Sequence, residues 1–156
     1  MDNPVILKKV DSDSDVESLR NIRNQCRSFM TRNSKEISKE EQVKWFGQLS
    51  DDVLVYLLHV VEYGVVAYPI GYGLLRKDDD CILISGGLVE SERGKGFGSC
   101  LFSYLIENAK KFKLPIKLEV LKNNIRAFAI YSKLGFRVIS DDGKVITMEY
   151  HYDSSI

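Results

Sequence analysis

Residues 93–98 read Arg93-Gly94-Lys95-Gly96-Phe97-Gly98. The run follows an apolar, β-rich segment, Cys81 to Val89, and leads straight into an amphipathic helical pattern. Glycines at such a junction remove Cβ atoms where something must approach the backbone closely. A helix start offers unpaired N–H groups and a partial positive charge. The combination is a receptor for an anion, most readily a phosphate. Arg93 and Lys95 add formal charge at the same place. The other reading is a glycine-softened strand-to-helix turn with chance basic residues. Spacing excludes two phosphate-binding classes. No window fits a Walker loop, G-x-x-x-x-G-K-[ST]. The dinucleotide fingerprint G-x-G-x-x-G fails too: its third glycine would fall on Ser99 or on Leu101. What remains is Arg-x-x-Gly-x-Gly.

Outward from this run, the periodicities alternate between strand and helix. Val5 to Val10 reads as a strand. Ser14 and Glu17 form a capping box before a helix carrying Val16, Leu19, Ile22, Cys26 and Phe29 on one face. Asn33-Ser34-Lys35 breaks that helix. Ser38 and Glu41 form a second capping box, and Val43, Phe46 and Leu49 give a short second helix. Val53 to Glu62 is nearly continuous apolar residues, as for a strand covered on both faces. Segment 63–69 is less regular, ending at Pro69. Ile70 to Arg76 and Cys81 to Val89 then pair through a polar turn, Lys77 to Asp80.

Beyond the glycine run, Leu101, Phe102, Leu105, Ile106, Ala109 and Phe112 make one helical stripe, closed by Lys110, Lys111 and Lys113 and stopped by Pro115. Ile116 to Leu121 is a strand. Asn124 opens a helix with Ala127, Phe128, Tyr131 and Leu134 inward, and Gly135 stops it. Phe136 to Ile139 and Val145 to Tyr150 form a hairpin around Asp141-Asp142-Gly143-Lys144. Residues 153–156 read as a loose end. The order is β-α-α-β-β-β-α-β-α-β-β, an α/β chain whose 156 residues make a single domain.

Composition excludes several function classes. Lys plus Arg equals Asp plus Glu at 22 each, so no overall field favours nucleic acid or an acidic membrane. No apolar stretch reaches transmembrane length and no leader pattern is present, which sets a cytoplasmic expectation. Cys26, Cys81 and Cys100 are widely spaced and read as buried free thiols. With only His59 and His151, no metal site is expected.

Residues 118–136 carry a second pattern: Leu118-Glu119-Val120, then Asn124, Ala127 three later, Tyr131 seven later, and Gly135-Phe136. Together with Arg93 to Gly98 and the order of elements, this resembles the GNAT family of N-acetyltransferases over about residues 5–150. The resemblance implies a mixed, twisted sheet whose central strands splay to admit acetyl-CoA. It also implies transfer of an acetyl group to a primary amine: an amino sugar, amino acid or polyamine. Backbone N–H groups of Leu88 and Val89 would hold the pantetheine arm. Arg93, Gly94, Lys95, Gly96, Phe97, Gly98 and Ser99 would hold the pyrophosphate, and Asn124 would touch the cofactor arm. Tyr131 would give a proton to the departing thiolate; otherwise it is a core tyrosine. Glu119 would be the base; otherwise it is a strand glutamate in solvent or paired with Lys117 or Lys122. His59 is a more distant base candidate.

The acceptor side would include Arg23, Arg27, Phe29, Met30, Arg32 and Trp45. This stretch faintly resembles members acting on nucleotide-linked amino sugars, with arginines on a carrier phosphate. The plainer reading is solvated arginines and a packing tryptophan. Two other functions stay open: acetylation of protein N-termini or lysines, and a non-catalytic acyl-CoA-binding regulatory domain. Family members often form homodimers.

Overall fold

The computed structural model describes residues 4–32 and 34–152. Strand β1 (Val5–Lys9) leads into helix α1 (Asp13–Gln25) and a single 3₁₀ turn at Arg27–Phe29, then helix α2 (Lys39–Gly47). Strands β2 (Val53–Glu62), β3 (Val65–Lys77) and β4 (Ile82–Leu88) follow, then helix α3 (Phe97–Lys110) and β5 (Ile116–Leu121). Helix α4 (Ile125–Leu134) precedes the β6 (Phe136–Asp141) and β7 (Val145–Tyr150) hairpin. The element order is the one expected from the sequence. Asn33 and residues 153–156, given roles as breaker and loose end above, lie outside the described residues.

All seven strands join one sheet in the order β1-β2-β3-β4-β5-β7-β6. Neighbours are antiparallel except β4 and β5, which run parallel. Strand β2 explains its own unbroken apolar run. Tyr56, Leu58 and Val60 point to a core shared with Leu101, Phe102 and Leu105 of α3. Val55 and Leu57 point to a second core with Val16, Leu19 and Ile22 of α1. Side chains alternate along a strand, so a strand covered on both faces has no polar side to show.

The β4–β5 pairing is short. It covers only Ile82↔Ile116 and Leu83↔Lys117. Beyond that point β4 stays paired with β3 as far as Leu88, and β5 stays paired with β7 as far as Leu121. Each strand keeps its outer partner while the inner edges separate. The result is a wedge-shaped gap lined by strand backbone without a strand partner, in the middle of an otherwise continuous sheet.

Several local expectations need correcting. Ser12, not Ser14, caps α1: its Oγ accepts from the Asp15 N–H at 3.1 Å. Glu17 instead pairs with Arg20 one turn on. The Ser38–Glu41 capping box does form, with bonds of 3.1 and 3.0 Å. On α2, however, Gln42 is the buried residue and Val43 is exposed. Strand β3 begins at Val65 rather than Ile70. Tyr63 and Gly64 both take positive φ (52° and 76°), as a two-residue type I′ turn requires, and this tightens a segment that reads as irregular. Pro69 is accommodated inside β3 beside a register shift at Leu58/His59. Phe112 falls beyond the end of α3 and is partly exposed. Of the cysteines only Cys26 is buried; Cys81 is half-buried and Cys100 lies on the outer face of α3.

Candidate active site

The glycine run turns β4 into α3. Gly94 and Gly96 both have positive φ, 78° and 92°, which L side chains take only with strain. Gly96 is the N-cap of α3, and no side chain caps the helix. The other three α-helices are capped by Ser12, Ser38 and Asn124. Intrahelical bonding in α3 starts with Cys100 N–H to Gly96 O at 3.4 Å. The N–H groups of Phe97, Gly98 and Ser99 therefore have no partner within the helix, and the positive end of its dipole is uncovered.

The charges around this helix start differ from those the sequence suggests. Lys95 is at the surface, paired with Glu92 at 3.4 Å. Arg93 is turned inward. Its Nε donates to Leu88 O (3.1 Å), its Nη2 to Gln25 O (2.8 Å), and its guanidinium stacks on Phe29 at 4.9 Å. Arg93 thus ties the end of β4 to the end of α1. The second cation at the loop is Arg126, from the first turn of α4: a Cβ placed on Gly94 would lie 3.3 Å from its Nη1. Arg126 makes no ion pair among the described residues. The sequence reading missed it, because nothing local links residue 126 to residue 94; only the packing of α4 beside the loop does.

Leu88 and Val89 part company. The Val89 N–H donates to Ile70 O at 2.8 Å and so belongs to the β3 side. Antiparallel ladders alternate, so Leu88 presents its N–H and C=O to the opposite side, into the gap. Its carbonyl there accepts from Arg93 and, at 3.4 Å, from the Cys26 thiol. Gly87 is needed next to it, since a Cβ at that position would stand 2.6 Å from Cys26 Sγ.

Tyr131 reaches the same place from α4. Its ring packs on Phe102 (centroids 4.7 Å) and edge-on to Phe136 (6.2 Å), within the core that includes Leu88. The residue is half-exposed, but its hydroxyl end is densely surrounded. Burial, with Tyr72 and the Cys26 thiol nearby, pushes its pKa well above the usual tyrosine range. The hydroxyl makes no hydrogen bond among the described residues. Tyr72, on β3, is pushed up to about 12, again mainly by burial, and its hydroxyl points to Met30 Sδ at 3.8 Å. Both phenols are therefore protonated at neutral pH.

Asn124 caps α4 by accepting from the Ala127 N–H at 3.3 Å. Glu119 is committed to neither Lys117 nor Lys122. It accepts from Arg32 Nε (2.9 Å) and Nη2 (3.0 Å) and from Thr31 Oγ1 (3.1 Å). The Arg32 guanidinium holds its carboxyl below the usual range. His59 lies on β2, paired with Ile6 and Pro69, two strands away from the gap.

On α1, Arg23 is not the solvated arginine of the plainer reading. Its guanidinium lies 5.2 Å from the Trp45 ring centre and 6.0 Å from that of Tyr72. Arg27 leans back on Ser34 O at 3.1 Å.

Comparison with known proteins agrees with this geometry. The acetyltransferase (GNAT) family model matches residues 16–136. No curated protein matches the sequence. Among solved structures, a domain from Methanocaldococcus jannaschii superposes with TM-score 0.84 at 18% identity, covering 97% of this chain and 100% of that one. Spermidine N-acetyltransferase from Vibrio cholerae, in complex with CoA and spermine, gives TM-score 0.79 at 18% identity, covering 93% and 94%. A GNAT superfamily phosphinothricin acetyltransferase from Sinorhizobium meliloti, in complex with acetyl-CoA, gives 0.74 at 17%, covering 93% and 86%. With the family model spanning both the glycine loop and the Asn124–Phe136 segment, the chain belongs to GNAT, a family of acetyl-CoA-dependent N-acetyltransferases.

Proposed function

We propose that this chain moves an acetyl group from acetyl-CoA to a primary amine of a small molecule. One observation carries the reading: α3, the helix without a side-chain cap, starts at the glycine loop beside a gap between β4 and β5, and Tyr131 packs against the core that includes Leu88 at the end of β4. Uncapped N–H groups at Phe97, Gly98 and Ser99, with Gly94, Lys95, Gly96 and Arg126 around them, suit a pyrophosphate. The unpaired inner edge of β4 suits an extended, amide-bearing arm, and the free Nδ2 of Asn124 is available to it. Arg93 and Val89 serve from behind, by fixing the end of β4.

Acetyl-CoA supplies an activated acyl carbonyl when bound. The Leu88 N–H, aimed into the gap, is a donor for negative charge developing on that oxygen. Tyr131 Oη, protonated and without a protein partner, gives its proton or a hydrogen bond to the departing sulfur. Glu119 is ionised but weakened as a base by Arg32. Its stronger role is to hold the α1–α2 connection against β5, with water taking the amine proton.

The test is calorimetric titration with acetyl-CoA, followed by coenzyme A release against small amines and N-terminal peptides. Binding with turnover of a small amine is expected. Binding without turnover of anything would mark a non-catalytic acyl-CoA-binding domain, and turnover of peptides alone a protein acetyltransferase.

A further inference from the structure

Among the described residues, Arg23 is the one guanidinium on the α1–α2 face with a buried, unanswered donor. Its Nε is out of contact with water and has no hydrogen-bond partner among the described residues. It has no carboxylate either: the ion pairs of the described residues engage Arg20, Arg32, Lys95, Lys110, Lys117 and Lys122. The guanidinium is instead flanked by two rings, Trp45 and Tyr72. The rings cover the faces of the cation, the Tyr72 hydroxyl engages part of its edge, and the remaining N–H groups are left for a ligand. One turn before Trp45, on the same face of α2, Gln42 is buried with neither amide atom bonded. Buried polar groups are nearly always paired, so two on one helix–helix face is a signal rather than noise.

The location is also informative. Arg23, in the last turn of α1, and Cys26, its C-cap, are three residues apart, about 4.5 Å along the helix axis. Cys26 touches Leu88 O and Gly87, the strand edge where the acetyl group would be held. Tyr72 bridges the same interval, against Arg23 on one side and near Tyr131 on the other. Glu119, which meets the α1–α2 connection, is already neutralised by Arg32. A polycation would meet the charge of Arg23 itself, whereas an oxyanion would meet a guanidinium with no carboxylate partner among the described residues.

We infer that Arg23, held between Trp45 and Tyr72, is the specificity-determining residue for the acceptor, and that the acceptor is an amine bearing an oxyanion, a carboxylate or phosphate, rather than a polyamine. The inference rests on the acetyltransferase reading for the word acceptor, but the anion subsite can be measured without catalysis.

Trp45 is the single tryptophan in the chain, so its fluorescence reports directly on the ring stacked against Arg23. The whole protein is titrated with glycine, phosphoethanolamine, ethanolamine, inorganic phosphate and spermidine. Glycine or phosphoethanolamine should change the emission saturably, and whichever binds more tightly identifies carboxylate or phosphate. Ethanolamine and spermidine should not change it. In coenzyme A release, the anionic amine should exceed its neutral counterpart in kcat/KM by about 10- to 100-fold, the usual value of a charge-assisted bond. In Arg23→Met that ratio should collapse towards one while acetyl-CoA affinity stays unchanged. Arg23→Lys, which keeps charge without the fork, should recover only part. Equal or better binding of spermidine, or an anion response that survives in a folded Arg23→Met protein, would overturn the inference. An anion response without any acetyl transfer would keep the subsite and remove the acetyltransferase reading instead.

Discussion

Arg32 and Glu119, 87 residues apart, meet in a two-pronged ion pair, Nε to Oε1 at 2.9 Å and Nη2 to Oε2 at 3.0 Å. The pair fastens the connection between α1 and α2 to β5, on the far side of the gap from α1 itself. Thr31 adds a third bond to the same carboxylate. A carboxylate so engaged is ionised well into acid, but it is a poor proton acceptor while the pair lasts.

Glu119→Gln should therefore behave as a loosened clasp. Raised KM for the amine with kcat within about tenfold is expected, because a general base is normally worth ~10²–10⁴. In the wild-type kcat/KM profile no acid limb near neutrality should belong to Glu119, since its pKa is lowered. A loss of three orders of magnitude in kcat for Glu119→Gln would return it to the role of base.

Tyr131→Phe should lower kcat by ~10²-fold and leave acetyl-CoA affinity nearly unchanged, the signature of a proton donor used after binding. Stability should barely move, because the hydroxyl has no protein partner to lose. Stopped-flow thiol detection and calorimetry on the same preparation separate the two quantities. Wild-type turnover in the variant would leave Tyr131 as a core tyrosine.

Arg93 and Arg126 should divide cleanly. Arg93→Ala removes bonds to Leu88 O and Gln25 O and should cost ~1–3 kcal/mol in chemical denaturation, with affinity for acetyl-CoA falling as a consequence. Arg126→Ala should leave stability unchanged and weaken acetyl-CoA binding by roughly tenfold at low salt, less at high salt. If Arg93→Ala were as stable as wild type and only affinity fell, its side chain would belong to the pyrophosphate site after all.

Gly87→Ala should destabilise the chain by ~1–3 kcal/mol, because the new Cβ stands 2.6 Å from Cys26 Sγ. Cys26→Ala should be less costly in the Gly87→Ala background than in the wild type, a positive coupling in a double-mutant cycle. Additive losses would mean that the backbone, not the thiol, sets the limit.

Tyr72 gives an alkaline signature. Its folded pKa is raised from 10.0 to about 12, so its contribution to stability is complete below pH 10 and is lost as pH rises through about 12. Urea midpoints of wild type and Tyr72→Phe should differ by a constant amount up to pH 9.5. Above that, wild type should fall faster. Parallel curves to pH 11.5 would show that Tyr72 is not desolvated in solution.

Much of this was legible in the chain itself. The order of elements, the loop at Arg93 to Gly98, the Ser38–Glu41 box, the Asn124 cap and the Gly135 stop depend on neighbours within a few residues. Local sterics and capping chemistry act at that range, so the sequence determines them. The continuous apolar run of β2 likewise announced a strand covered on both faces. Where short-range cues competed, the reading slipped. Ser12 and Ser14 both offered a cap, and Tyr63-Gly64 lacked the usual signal for a type I′ turn.

The charges of the site were decided only by tertiary structure. A guanidinium at the end of a long, flexible side chain goes wherever an acceptor or a ring awaits it, and those partners come from anywhere in the chain. Arg93 turned inward to Leu88 and Gln25, Arg32 crossed to Glu119, Arg126 arrived beside Gly94, and Arg23 was enclosed by Trp45 and Tyr72. The sequence by itself determined the loop and the helix start that can hold an anion. Packing alone decided which cations were left free to meet one.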